Sequence, residues 1–175
     1  MSKTIVIAAA VSLSVPGGLS AAARTVFAAP AQPIFAAAAI TANKKPVVRR
    51  CGGYTVTSAI YSGISNSPDQ RMAGRMTFAG RIAVNTGGTT GVATGQFVVR
   101  DRQNRIRMKA NLRGVVTQRT TVNGLVTGRV SIPRARLDAN VTIVFDEVLR
   151  FGAVRLGLEE GANSGVAYPA VPNCR

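Results

Sequence analysis

From residue 54 to residue 158 the chain is a succession of short runs in which apolar and polar residues alternate, each closed by residues that turn the backbone. Alternation with a period of two gives a strand one buried and one wet face, the pattern of antiparallel sheet rather than of helix. Candidate strands cover residues 54–61, 75–84, 92–100, 105–113, 115–122, 125–132, 139–149 and 153–158. Between them, Asn85-Thr86-Gly87-Gly88, Asp101-Arg102-Gln103-Asn104 and Asn123-Gly124 supply residues that accept positive φ or make Asx turns. Asn-Gly between two β-rich runs is the strongest short hairpin signal, so residues 115–122 are expected to pair with 125–132. Pro133 ends the second of these, residues 134–138 become a connection, and residues 60–71 read as a loop. The expected fold is all-β: a single antiparallel β-sandwich or small barrel of about 7–8 strands.

A different pattern precedes this region. Lys3 is followed by an uncharged run from residue 4 to residue 15, then Pro16-Gly17-Gly18 and Ala21-Ala22-Ala23, the layout of a secretory signal. The run is shorter than the roughly 20 residues that cross a bilayer. A second apolar tract, residues 25–42, is set apart by Arg24 and broken by Pro30 and Pro33. Residues 1–42 are therefore read as a signal peptide and Ala/Pro-rich leader, with cleavage after Ala23, Ala28 or Ala42, and residues 43–175 as a single β domain. The protein is expected to be secreted or periplasmic, in the cell envelope, and to touch a membrane only if the N-terminus stays uncleaved as an anchor.

The two cysteines, Cys51 and Cys174, stand at the two ends of the expected domain. In an oxidising compartment such a pair reads as a disulfide. The loop between them holds 122 residues, 52 to 173, and closing it is worth about 5 kcal/mol in the chain-entropy account. With no histidine in the chain, neither a structural zinc site of Cys and His nor a Ser-His-Asp or Cys-His device can be assembled. Two of the seven acids stand beside another acid in Asp146-Glu147 and two in Glu159-Glu160. Neighbours on a strand point to opposite faces, so neither doublet makes a catalytic pair by itself. The glycines of Gly87-Gly88-Thr89-Thr90-Gly91 lack the lysine and following helix of a phosphate loop, and Ser164 lacks the spacing of a nucleophile elbow. The chain is thus read as non-enzymatic, with no catalytic residues, no metal and no cofactor.

Thr94-Gly95-Gln96-Phe97-Val98-Val99-Arg100-Asp101, then Val122-Asn123-Gly124 and Gly128-Arg129-Val130, then Val141-Thr142-Ile143-Val144-Phe145-Asp146 stand in an order that resembles the post-COAP-like β domain of exported bacterial proteins. The resemblance spans about residues 75–158 and implies an exported, sandwich-like module.

Charge supplies the functional lead. Lys and Arg number 22 against 7 acids, and only Lys3 and Arg24 fall within residues 1–42, so the remaining chain keeps a net +13. Such an excess attracts polyanions. The sharpest concentration is the run from Arg105 to Arg113. There Ile106, Met108, Ala110 and Leu112 take one face, and Arg105, Arg107, Lys109, Asn111 and Arg113 the other. Same-face charges about 7 Å apart lie within a Debye length of about 8 Å and repel. Arg105, Arg107, Lys109 and Arg113 are therefore the candidate anion-binding residues, their guanidinium forks suited to phosphate and carboxylate. The expected partner is a polyanion of the cell envelope or an acidic polysaccharide. Nucleic acid is less favoured, since few aromatics interleave with the basic residues and no nucleic-acid-binding motif is present. Two other readings stay open: a structural or assembly subunit of a larger complex, by self-assembly or with a protein partner, and a carrier of a small lipophilic ligand inside a barrel.

Overall fold

The computed structural model of the chain describes residues 36–131, 134–157 and 168–174. The expected export signal, which falls within residues 1–35, and Pro133, Glu159, Glu160 and Ser164 lie outside the described residues. Among the described residues there are nine strands and no helix: β1 (Ala36–Ala42), β2 (Val47–Cys51), β3 (Tyr54–Asn66), β4 (Gly74–Asn85), β5 (Gly91–Arg100), β6 (Ile106–Thr117), β7 (Thr121–Val130), β8 (Ala135–Phe145) and β9 (Phe151–Gly157).

From β3 to β9 each strand pairs antiparallel with the next. β1 then closes the sheet, pairing with β9 from Ala36 opposite Leu156 to Thr41 opposite Phe151, and with the second half of β3 from Ala37 opposite Asn66 to Ala42 opposite Tyr61. The register thereby decides for a barrel of eight strands, β1 and β3–β9, over a sandwich. β2 stands outside the closure and pairs with the first half of β3, from Cys51 opposite Tyr54 to Val47 opposite Ser58.

The inside of the barrel is apolar and filled. Met108, Ala110, Leu112 and Val116 of β6 are buried while Lys109, Asn111 and Arg113 face outward, the alternation expected of this strand, except that Ile106, expected inside, is exposed because the ladder is bulged between Ile106 and Met108. Phe78 and Phe97 stack with centroids 4.4 Å apart, and Tyr61 lies 5.8 Å from Phe78 and 5.2 Å from Phe145. Burying each such ring contributes about 1.5–3 kcal/mol. Gly80 and Gly95 leave room for the Phe78 ring, since a Cβ on either would stand 2.6 or 2.3 Å from it. The Tyr61 hydroxyl donates to the Leu149 carbonyl at 2.8 Å. Its burial, and secondarily the charge of Asp146, push this phenol up to about 12.

A smaller apolar cluster lies on the outer surface. Val171, in the tail, buries Val56, Ala83 and Val92 against the barrel wall, and Cys51 and Cys174 pack beside them. These two cysteines form the expected disulfide, with their Cα atoms 5.7 Å apart. The tail is thus tied to β2.

Several local expectations give way. The β domain begins before residue 43, because β1 is the closing strand. Its run of alanines carries no alternation, and the strand is held by ladders on both its edges instead. Ala36 and Ala38 are buried beside β3, where Gly63 approaches so closely that a Cβ would stand 2.0 Å from the Ala39 carbonyl oxygen. The Asn123-Gly124 step is no turn. It lies inside β7 opposite Val115 and Gly114, and the reversal falls at Gln118 and Arg119, whose φ values are 52° and 64°. Gly124 is there for close strand approach, because a Cβ would stand 2.7 Å from the Gly114 Cα. β6 therefore runs on to Thr117. β3 likewise continues to Asn66 through the expected loop, and β8 starts at Ala135 within the expected connection.

Candidate functional site

The outward residues of β6, β7 and β8 lie on neighbouring strands, and the register sets their cations side by side. Lys109 of β6 lies directly opposite Arg129 of β7, and Arg129 directly opposite Arg136 of β8. Facing side chains in such positions have Cβ atoms about 5 Å apart, and like charges there oppose folding. Lys109 and Arg129 have no ion-pair partner among the described residues. At the end of the row Arg136 meets Asp138 at 2.7 Å, a pair that is largely exposed. One step nearer the barrel end, Arg75 of β4 stands opposite Arg100 of β5, and the ladder is bulged where Arg100 meets β6.

The Asp101 carboxylate organises the β5–β6 connection. One oxygen accepts the Arg105 backbone N–H at 2.9 Å, and the other accepts the Nε–H of both Arg105 and Arg107 at 2.9 Å. Arg100 donates to the Asn104 carbonyl at 3.0 Å, and Asn104 takes the left-handed backbone conformation at φ 63°. Desolvation works against the charge of Asp101. The hydrogen bonds from Arg105, followed by the charges of Arg105 and Arg107, outweigh it and hold this carboxyl below its ordinary value.

The four residues singled out in the sequence divide. Arg107 and Lys109 lie on the basic face of β6, and Arg105 precedes the strand, in the connection. Arg105 and Arg107 are partly neutralised by Asp101, whereas Lys109 is not. Arg113 lies four residues further along, about 13 Å away, beyond Asn111, whose side-chain carbonyl accepts from Gln96 at 3.1 Å. Its neighbours across the ladder are Thr94 and Leu125. Arg129 and Arg136 complete the basic face, Arg75 and Arg100 lie further round the barrel on β4 and β5, and none of the four is singled out by the sequence. Their alignment depends on register. A turn at Asn123-Gly124 would have set Arg129 opposite Gln118 rather than Lys109.

Among the described residues no group of three His, Cys, Asp or Glu side chains is placed to hold a metal. What the face can do chemically is offer several guanidinium forks and an ammonium to a ligand carrying more than one negative charge. No family model, no curated protein and no solved structure matches this chain.

Proposed function

We propose that this protein is an exported, non-enzymatic β-barrel that binds a polyanion of the cell envelope, or an acidic polysaccharide, through the basic face of β6 to β8. The observation that carries the reading is the row Lys109, Arg129, Arg136, three cations in direct cross-strand register with a single acid, Asp138, at one end. Mutual repulsion makes this row a cost to the free protein, and a bound polyanion relieves it. The Cys51–Cys174 disulfide agrees with an oxidising, extracytoplasmic setting.

The test is a salt titration of the oxidised protein against lipopolysaccharide, an acidic polysaccharide, duplex DNA and single-stranded DNA, with the K109E/R129E variant alongside. One envelope polyanion is expected to stay bound near physiological salt, and the variant to lose it while keeping its thermal transition. Equal binding by the variant, or uniform binding that vanishes with modest salt, overturns the proposal. In that second case, protein assembly becomes the better reading.

A further inference from the structure

A groove of about 890 Å³ crosses the outer wall of β3 to β6 below the connection between β1 and β2. It opens where β3 changes partner, from β2 at Ser58 to β1 at Tyr61. Its two sides differ in kind. On one side Arg81, Thr94 and Arg113 stand in a single cross-strand row. Arg81 and Arg113 are thus two strands apart, about 10 Å, and flank Thr94 across the ladder. On the other side the row runs from Ile60, 54 % exposed, and Ala79 on to Gln96 and Asn111, with Val47, 56 % exposed, near the entrance, so the apolar part of the wall is its β3–β4 end. Lys44 and Lys45 stand at the rim, and among the described residues no acid lines the groove.

Arg81 is held in place. Its guanidinium donates to the Pro172 carbonyl at 2.9 Å and to the Asn173 side-chain oxygen at 3.4 Å. Those residues belong to the tail fixed by Cys174 and by buried Val171. Fork donors not used by the tail remain for a ligand. The Arg113 side chain is exposed and makes no hydrogen bond or ion pair among the described residues. A fixed and a free guanidinium around one hydroxyl suit a single anionic head, because each fork can bind carboxylate or phosphate bidentately. The facing apolar wall suits a hydrocarbon chain, and the volume lies within the range of small-ligand sites.

We infer that this groove binds a single-chain anionic amphiphile, a carboxylate or phosphate head between Arg81 and Arg113 with its acyl or alkyl chain along Ala79 and Ile60. The inference does not rest on the basic face. It also gives a lipophilic ligand a place outside a barrel whose interior is filled with side chains.

The test is calorimetric titration of the oxidised full chain with dodecyl phosphate and with dodecanoate below their micelle concentrations. Inorganic phosphate and dodecyltrimethylammonium are the controls. Both anionic amphiphiles are expected to bind at least tenfold more tightly than either control. Arg113→Ala, at an exposed position whose side chain has no partner among the described residues, is expected to weaken binding at least tenfold. Ala79→Trp, which fills the groove from the exposed face, is expected to block it. K109E/R129E is expected to leave it unchanged, which separates this site from the polyanion face. Three results overturn the inference: inorganic phosphate binding as tightly as dodecyl phosphate, the cationic amphiphile binding as tightly as the anionic ones, or an Arg113→Ala protein that binds like the parent.

Discussion

β6 and β1 are both strands of one barrel, yet they are specified in opposite ways. Along β6 nearly every residue declares its face, with Met108, Ala110 and Leu112 inward and Lys109, Asn111 and Arg113 outward. Along β1 the side chains are alanine, isoleucine and threonine, and little in them distinguishes strand from leader. What places β1 is demand from its neighbours: β9 and the second half of β3 each have backbone donors and acceptors that need partners, and β1 supplies both edges. One strand is written in its side chains and the other in the closure of the sheet.

The contrast breaks most sharply under truncation. A chain beginning at Asn43 leaves β9 and half of β3 with open edges, and is expected to lose its cooperative thermal transition by circular dichroism, whereas one beginning at Thr25 retains it. Identical melting of the two would show that β1 contributes nothing to closure. For the same reason cleavage after Ala42 is incompatible with this barrel, while cleavage after Ala23 or Ala28 preserves it.

Next in size is the disulfide beside the seam. The C51S/C174S variant is expected to lose up to about 5 kcal/mol in urea unfolding, together with the packing of Val171 on Val56, Ala83 and Val92. A loss well under 1 kcal/mol would mean that the tail is secured by packing alone.

Tyr61, opposite Ala42 in the seam, sets a third test. Tyr61→Phe removes the hydrogen bond to Leu149 and is expected to cost about 1 kcal/mol at neutral pH. The phenol's ordinary value is 10.0 and the fold raises it to about 12. The unfolded chain therefore ionises first. The associated stability is complete below pH 10 and is lost as pH rises toward 12. Parent and variant should converge across that window, and a constant difference would contradict the assignment.

The smallest effect sharpens the β6 side of the comparison. Arg129→Glu places an anion between Lys109 and Arg136, turning two repulsions into attractions, and is expected to stabilise the barrel by about 0.5 kcal/mol while weakening polyanion retention. Destabilisation would show that the row carries no strain.

The same contrast explains how much was legible beforehand. The all-β class, the turns at Asn85–Gly88 and Asp101–Asn104 and the two faces of β6 follow from side-chain chemistry within a few residues of one another. The position of β1 and the alignment of Arg129 with Lys109 do not, because both are properties of register between distant segments. Asn123-Gly124 misleads for a related reason. Glycine serves both positive φ and close strand approach, and only the facing Gly114 tells which. The outer cluster of Val56, Ala83 and Val92 did leave a mark: Ile82-Ala83-Val84 and Val92-Ala93 interrupt the alternation, as a wall covered on both faces does.

The pairing of Ala36 with Leu156 also has a kinetic side. Each hairpin from β3 to β9 joins neighbours in sequence and can form as soon as its residues are free, but the seam needs the first strand and the last together. A chain delivered N-terminus first can pair β1 with β3 early but leaves the other edge of β1 open until β9 has emerged. Folding is completed by the arrival of the C-terminal strands, so the finished barrel forms only after nearly all of the chain has been delivered.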